Sequence, residues 1–195
     1  LAAKGQATSN DLQNGNCKPV AFIMARGSTE QGNMGTIVGS GLCAAMKAQA
    51  PGQVACQGVG GNYKALLAPN TLPLGTDQAS IDQATSVITS AMTACPQSQM
   101  VLAGYSQGSA VISQAVQALP ADMKAKVMAV AFYGYTKNQQ TMGMLPGFPQ
   151  QNLKVFCRGD DGVCGGQLDV TAGHLAYQND GTVGMGATFL MSKVQ

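Results

Sequence analysis

The sequence predicts an α/β fold, a single domain of three layers (α/β/α) with a mainly parallel central sheet of about five strands. Two observations lead to this prediction. Short apolar runs alternate along the chain with longer segments of helical periodicity, and this alternation is typical of parallel strands joined by crossover helices. In addition, 195 residues suit one domain with a full-sized core, and no stretch in the chain resembles a linker.

The predicted strands are continuous apolar runs, as expected for strands buried on both faces. They comprise residues 20–25, 54–59, 100–104, 127–133 and 153–157. Helical spacing of apolar residues predicts helices over 35–49, over 77–95 with Thr76 or Asp77 as N-cap, after Ser106 as far as Leu119, and over 181–193. Residues 1–16 are polar and are expected to form a mobile lead-in to a domain that spans 17–195.

The composition excludes some classes of function. Charged residues make up 10% of the chain and the net charge is +2, so no basic surface for nucleic acid is expected. Six cysteines without a C-x-x-C pair, and a single histidine, fit three disulfides rather than a zinc site and predict an extracellular location. No apolar run reaches the ~18 residues that span a bilayer. The N-terminus lacks the apolar core of a signal peptide, so we interpret the chain as a mature secreted form.

A candidate nucleophile follows the third predicted strand. The pentapeptide Gly104-Tyr105-Ser106-Gln107-Gly108 has the G-x-S-x-G spacing of a strand–turn–helix elbow that exposes a serine. Glycine at both flanking positions allows strand and helix to approach closely while the serine adopts a strained backbone conformation. The same pentapeptide can also arise in an ordinary loop. Whether Ser106 is a nucleophile therefore depends on whether the chain also offers a general base and an acid.

A serine hydroxyl is a weak nucleophile at neutral pH and needs a general base, usually a histidine. His174 is the only histidine of the chain and follows Ser106, although a lone histidine is more often structural. The acid is then expected between them, and the aspartates in that interval are Asp122, Asp160, Asp161 and Asp169. We interpret Asp122 as a helix cap and Asp169 as an outward-facing residue. Asp160 and Asp161 follow the last predicted strand, and spacing alone does not separate them.

Further motifs extend from about Cys17 to the C-terminus. They are Ala25-Arg-Gly-Ser-Thr-Glu30, Gly58-Val-Gly-Gly-Asn-Tyr63, Phe132-Tyr-Gly-Tyr-Thr-Lys-Asn138, Lys154-Val-Phe-Cys157 with Asp161 and Cys164, and His174-Leu-Ala-Tyr177. Together with the serine pentapeptide they resemble the cutinases, fungal secreted serine esterases of the α/β-hydrolase class. Because the match rests on several separate motifs, it is far more specific than the pentapeptide.

The resemblance implies a triad of Ser106, His174 and Asp161, since the family's aspartate stands four residues after the first cysteine of a small loop and three before the second. It also implies an oxyanion hole made by the backbone N–H of Gln107 and by Ser28, whose hydroxyl Asn70 would orient. The implied disulfides are Cys17–Cys95 and Cys157–Cys164, which leaves Cys43–Cys56 as the third. A substrate groove without a large lid would be lined by Leu66, Leu67, Tyr105, Val163, Leu168, Val170 and Leu175.

The implied activity is hydrolysis of ester bonds in cutin, related polyesters or short-to-medium acyl esters through an acyl-enzyme. No metal or organic cofactor is expected, and the enzyme would act as a secreted monomer with no nucleic-acid partner and no transmembrane segment. Two alternatives remain. An acetylxylan esterase would share the fold and the triad but prefer acetyl groups on a carbohydrate, and a non-catalytic surface-binding protein would use the fold without the chemistry.

Overall fold

A computed structural model of the chain describes residues 5–195. The strands of the sheet are β1 Val20–Ala25, β2 Val54–Gly58, β3 Gln99–Tyr105, β4 Val127–Tyr133 and β5 Leu153–Phe156. Their order across the sheet is β2-β1-β3-β4-β5, and every neighbouring pair is parallel. Helices pack on both faces, so the predicted fold class is confirmed.

The helices are α1 Ser40–Gln49, α2 Gln78–Ala94, α3 Gln107–Ala118, α4 Ala121–Lys124, α5 Asn138–Thr141 and α6 Thr182–Met191. A π-helical turn, Gly35–Gly39, directly precedes α1, so the helix predicted over 35–49 has two parts. Asp77 rather than Thr76 is the N-cap of α2, because its carboxylate accepts a hydrogen bond from the N–H of Ser80 at 2.8 Å. Within residues 5–195, no helix combines the length and apolarity that crossing a membrane requires.

Strand β1 shows how the sheet is buried on both faces. Successive side chains of a strand point to opposite faces, and all six residues of β1 are buried. Ala21, Ile23 and Ala25 belong to the cluster formed with α2 and α3, whereas Val20, Phe22 and Met24 belong to the cluster formed with α1 and α6. Because the strands are parallel, the loops after β1, β3 and β5 meet at one edge of the sheet, where sites of such folds are found.

The segment before Cys17 differs from the sequence expectation. The N–H of Asp11 donates to the carbonyl of Cys56 at 3.0 Å, and the Asp11 carboxylate accepts from the N–H of Cys56 at 2.9 Å. Leu12 is buried in the core beside α2. Strand β2 is an edge strand whose backbone groups need partners, and residues 9–12 supply some of them. The segment expected to be a mobile lead-in thus packs against the domain at residues 9–12, and residues 1–4 lie outside the described residues.

Three disulfides involve all six cysteines, in the pairing that the family resemblance implies. Cys17–Cys95 joins the residues before β1 to the end of α2, and Cys43–Cys56 joins α1 to β2. Cys157–Cys164 closes the loop that follows β5. This third bridge lies at the same sheet edge as the serine elbow and is the one that bears on the candidate site.

Candidate active site

Ser106 stands between the last residue of β3 and the first residue of α3, in a backbone conformation that side chains rarely adopt. Its φ and ψ are 54° and −125°, a strained combination for an L-residue. Both flanking glycines are required sterically. A Cβ on Gly104 would lie 2.5 Å from the backbone of Ser109, and one on Gly108 would overlap the backbone of Ala25 and Arg26. The sequence therefore builds the elbow that presents the Ser106 hydroxyl at the sheet edge.

His174 and Asp161 meet Ser106 at this edge. The distance from His174 Nε2 to Ser106 Oγ is 2.9 Å. On the other side of the ring, Nδ1 lies 2.9 Å from Asp161 Oδ1 and 3.0 Å from Oδ2. His174 is 2% exposed and Asp161 5% exposed, so the pair is shielded from water.

The other three aspartates of the interval lie elsewhere. The side chain of Asp160 is 60% exposed and forms an ion pair with Arg158 at 2.9 Å. Asp122 is exposed in α4, one residue after that helix begins, and Asp169 is exposed in the loop before His174. Adjacent residues of the loop thus point in different directions, which spacing along the chain could not reveal.

Asp161 lies in the loop closed by the Cys157–Cys164 disulfide, and its carboxylate is held by the imidazole of His174, by a backbone N–H and by a phenol. Its Oδ1 accepts from the N–H of Val163 at 2.9 Å, and its Oδ2 accepts from the hydroxyl of Tyr177 at 2.6 Å. Burial alone would raise the pKa of Asp161, but the hydrogen bonds from His174, Tyr177 and Val163 outweigh it and hold the pKa below its ordinary value. The carboxylate is therefore ionised beside the imidazole.

Tyr105, expected in the groove, lies mainly beneath the imidazole. Its ring stacks on that of His174 with centroids 5.1 Å apart, and its hydroxyl donates to the His174 carbonyl at 2.8 Å. Burial raises the pKa of Tyr105, and the negative charges of Glu30 and Asp161 add to this effect. The phenol therefore stays protonated and keeps its hydrogen bond to the histidine backbone.

Ser28 follows β1 and lines the same cavity as Ser106. Its Oγ accepts a hydrogen bond from Asn70 Nδ2 at 2.9 Å, the contact expected from the family resemblance. Gln107 begins α3, so its N–H is one of the free donors at a helix N-terminus. The Gln107 side chain is buried and donates from Nε2 to the carbonyl of Leu66 at 2.7 Å, which ties the serine elbow to the rim loop.

The loop that carries Ser28 is held by Glu30, a residue to which sequence reasoning assigned no role. The Glu30 carboxylate accepts from the N–H groups of Gly27, Thr36 and Ile37 at 2.7–2.8 Å. Gly35, at φ +76°, lies so close that a Cβ there would meet this carboxylate. Only the motif Ala25-Arg-Gly-Ser-Thr-Glu30 pointed to this loop, and it gave no indication of the hydrogen bonds that Glu30 accepts.

Arg26 supports the loop from below. Its Nε donates to the carbonyl of Glu30 at 3.0 Å, and its guanidinium reaches the carbonyls of Val59 and Tyr63 at 3.3 and 3.5 Å. The Tyr63 hydroxyl returns a hydrogen bond to the Arg26 carbonyl at 2.7 Å. The two motifs that contain Arg26 and Tyr63 are therefore joined by buried hydrogen bonds beneath the loop that carries Ser28.

A cavity of about 740 Å³ opens beside Ser106. Its lining includes Ser28, Asn70, Ser106 and His174, and on the apolar side Leu67, Tyr105, Val163, Leu168, Val170 and Leu175. Leu67, Val170 and Leu175 are among the exposed large apolar side chains, whereas Val163 is buried. Leu66, expected in the groove, is not part of this lining and projects at the surface, while its carbonyl anchors Gln107.

Comparison with known proteins gives consistent results. The family model described as Cutinase matches residues 16–194. A probable cutinase 3 of Neosartorya fischeri is 51% identical over 196 residues, which cover all of this chain and 89% of the relative. Cutinase 1 of Fusarium vanettenii is 42% identical over 194 residues, 98% of this chain and 84% of the relative.

Two solved structures extend the comparison. Trichoderma reesei cutinase in complex with a C11Y4 phosphonate inhibitor superposes with a TM-score of 0.84 at 28% identity, covering 97% of this chain and 81% of that one. An acetylxylan esterase has a TM-score of 0.70 at 18% identity, covering 92% of this chain and 100% of that one, a likeness that concerns the fold alone. Since the family model and the relatives span nearly the whole chain, this protein belongs to the cutinase family and is a carboxylic ester hydrolase.

Proposed function

We propose that Ser106, His174 and Asp161 form the catalytic triad of this esterase, and that its substrates are cutin, related polyesters and short-to-medium acyl esters. The observation that supports this proposal most directly is the continuous hydrogen-bond path through the imidazole. Ser106 Oγ lies 2.9 Å from Nε2, and Asp161 Oδ1 lies 2.9 Å from Nδ1. Nucleophile, base and orienting acid thus stand in the order that acyl transfer needs.

In the proposed mechanism, His174 Nε2 takes the proton from Ser106 as Oγ attacks the ester carbonyl. Asp161 keeps Nδ1 protonated and stabilises the imidazolium that forms. The imidazolium then gives its proton to the departing alcohol, which leaves Ser106 acylated. Water, deprotonated by His174, hydrolyses the acyl-enzyme and restores the serine hydroxyl.

The oxyanion formed in each step needs donors that are already in place. We assign this role to the N–H of Gln107 and to the N–H and hydroxyl of Ser28. The hydrogen bond from Asn70 supports the second assignment, because a hydroxyl that accepts from Asn70 still has its own proton to donate. The Glu30 carboxylate and the Arg26 guanidinium keep the Ser28 loop fixed before substrate arrives.

The groove supports a substrate with an apolar acyl chain. Exposed Leu67, Val170 and Leu175 flank the cavity that contains Ser106, and burial of such surface against an acyl chain stabilises binding. A groove with exposed lips can receive an ester bond that is part of an insoluble polymer, which a deep closed pocket cannot. We infer that the apolar lips contact the polymer surface during hydrolysis.

The proposal extends to the compartment in which the enzyme acts and to its oligomeric state. The three disulfides favour an oxidising compartment, and the relatives are fungal cutinases. We therefore propose that the enzyme is secreted. As a separate proposal, we expect it to act as a monomer. Light scattering on the purified protein would test the monomer directly, since a dimer doubles the measured mass.

An acetylxylan esterase is the second candidate, favoured by the fold likeness to an enzyme of that name. The apolar lips argue against it, because an acetyl group needs little apolar surface and a xylan backbone is polar. The non-catalytic alternative has lost its basis, since the chain belongs to a family of ester hydrolases.

Hydrolysis of p-nitrophenyl esters from acetate to long acyl chains, together with cutin and acetylated xylan, tests the proposal. We expect butyrate to octanoate to be cleaved with higher kcat/KM than acetate, and cutin to release hydroxy acids. Activity confined to acetate and acetylated xylan would replace the proposal by the second candidate. The Ser106→Ala variant measures background hydrolysis in each assay.

A further inference from the structure

Tyr177 contacts the carboxylate that faces His174, and the mechanism above leaves it without a role. Its hydroxyl donates to Asp161 Oδ2 at 2.6 Å, within the range of about 2.5–2.7 Å that is typical of a hydroxyl bound to an ionised carboxylate. The side chain is fully buried. Burial raises the pKa of Tyr177, and the hydrogen bond to Asp161 raises it further. The phenol is therefore a permanent donor.

Local structure explains how the chain delivers this donor. Tyr177 lies in a 3₁₀ turn, Ala176–Gln178, that begins two residues after His174. The two side chains contact the same carboxylate, His174 through Nδ1 and Tyr177 through its hydroxyl. The N–H of Arg158 donates to the Tyr177 oxygen at 3.2 Å, so the phenolic hydrogen is left for Asp161.

The two oxygens of Asp161 differ in their other partners. Oδ1 accepts from the N–H of Val163 at 2.9 Å in addition to the imidazole. For Oδ2, within residues 5–195, Tyr177 supplies the hydrogen bond other than the one shared with the imidazole. Removing the phenolic hydroxyl would leave a buried carboxylate oxygen under-satisfied and free to turn away from Nδ1.

We propose that Tyr177 is a positioning residue of this esterase, which locks the Asp161 carboxylate in the plane where it orients His174. The proposal rests on the triad proposed above. Val163 donates to one carboxylate oxygen and Tyr177 to the other, and His174 Nδ1 lies within 3.0 Å of both. Tyr177 is thus a fourth residue beside the three of the triad, and it acts through Asp161 without contacting the substrate.

Other ionisable groups near Asp161 do not substitute for this contact. Asp160 is exposed and paired with Arg158, and Arg158 also pairs with Asp180 at 2.9 Å. Tyr105 stacks on His174 and donates to its backbone carbonyl rather than to the carboxylate. The effect of removing the Tyr177 hydroxyl is therefore not masked by a neighbouring donor.

The chain offers a matched control. Tyr133 is also fully buried, its ring packs edge-on against Tyr177 at 5.8 Å, and its hydroxyl donates to the backbone carbonyl of Thr182 at 3.1 Å. Tyr133→Phe thus removes a hydroxyl from the same aromatic cluster without touching Asp161. Thermal unfolding of both variants controls for a general loss of packing.

For Tyr177→Phe we expect kcat to fall about tenfold or more with KM little changed, as for loss of alignment at a reacting group. The acid limb of kcat/KM should move to higher pH, because Asp161 loses a donor that stabilises its charged form. Tyr133→Phe should resemble the wild type in both respects. In an Asp161→Asn background, Tyr177→Phe should have little further effect. Equal kinetics and pH profiles for the two Phe variants would overturn the proposal.

A second readout does not depend on turnover. The chain has one histidine, so the low-field proton NMR resonance of Nδ1–H reports the His174–Asp161 contact alone. We expect this resonance to shift in Tyr177→Phe and to keep its position in Tyr133→Phe. An unchanged resonance in both would refute the positioning role. If the wild type and Ser106→Ala cleave esters equally, the triad proposal fails, and the resonance still decides whether Tyr177 acts on the pair.

Discussion

The amide of Asn70 and the hydroxyl of Ser28 are joined by a hydrogen bond in which Asn70 Nδ2 donates to Ser28 Oγ at 2.9 Å. The second proton of the same amide donates to the carbonyl of Leu67 at 2.9 Å, so Asn70 is fixed on its own loop. Ser28 is therefore held as an acceptor, and its own proton is free for a carbonyl oxygen in the groove. Two loops that follow different strands must meet for this to occur.

This relationship predicts graded losses of activity. Ser28→Ala removes a proposed oxyanion donor and should lower kcat by about 100-fold or more with a smaller change in KM. Asn70→Asp keeps the size but replaces the donor by an acceptor, and should lower kcat by about tenfold, because the new carboxylate draws the Ser28 proton away from the groove. Ser192→Ala, at the surface after α6, is the matched serine control. Wild-type kcat in Ser28→Ala would contradict the oxyanion assignment.

Replacement of Glu30 tests how the Ser28 loop is held. In Glu30→Gln, one of the two oxygens that accept from Gly27, Thr36 and Ile37 becomes an amide nitrogen, which donates instead of accepting. We expect a loss of about 1–3 kcal/mol in the free energy of unfolding, the usual range for losing hydrogen bonds to a charged group, two of which are partly buried here. Urea denaturation measures the loss, and kcat should fall as the loop loosens. Unchanged unfolding and unchanged kcat together would show that the carboxylate does not support the loop.

The lowered pKa of Asp161 predicts a pH dependence of stability. Its pKa is lower in the folded than in the unfolded chain, where an aspartate titrates near about 3.9. The unfolded state therefore binds more protons in acid, so the contribution of Asp161 is fully present above that pH and is lost as pH falls through the lower folded pKa. Thermal unfolding between about pH 2 and 6 should show a weaker pH dependence in Asp161→Asn than in the wild type. The exposed Asp160→Asn variant should change the slope less, and equal slopes for wild type and Asp161→Asn would contradict the account.

Removing two of the disulfides one at a time should distinguish an effect on stability from an effect on activity. Removing either Cys43–Cys56 or Cys157–Cys164 by paired alanine substitution should cost about 2–4 kcal/mol of unfolding free energy. Only loss of Cys157–Cys164 should also lower kcat strongly, because that bridge closes the loop carrying Asp161. Urea unfolding and ester hydrolysis on both variants provide the comparison. A similar loss of kcat in the Cys43–Cys56 variant would show that the effect is not local.

The parts predicted from sequence are those that local pattern determines. Strand β1 and the elbow around Ser106 follow from apolar runs and glycine spacing, and His174 follows from being the sole histidine. The choice between Asp160 and Asp161 depends on which way each side chain leaves a disulfide-closed loop, and only the family resemblance selected one. The role of Glu30 was not predicted, because its three hydrogen-bond donors are backbone N–H groups up to seven residues away. Backbone donors leave no pattern in the side chains of the sequence.

The packing of the N-terminal segment against β2 was not predicted, for a related reason. Residues 9–12 are mostly polar, and their backbone groups pair with the edge of β2 while a single side chain, Leu12, enters the core. A polar composition predicts exposure, but the unpaired backbone groups of an edge strand can form hydrogen bonds with a segment of any composition. Long-range backbone pairing of this kind cannot be inferred from one sequence.

Stoichiometric labelling with an organophosphonate tests the central claim most directly, since such a reagent reacts with a serine only where a base and an oxyanion hole activate it. We predict that one equivalent adds to the wild-type chain, that peptide mass spectrometry finds it on Ser106, and that esterase activity disappears in proportion. Ser106→Ala should take up no label and hydrolyse no ester. Label on another residue, or esterase activity that survives in Ser106→Ala, would contradict the account.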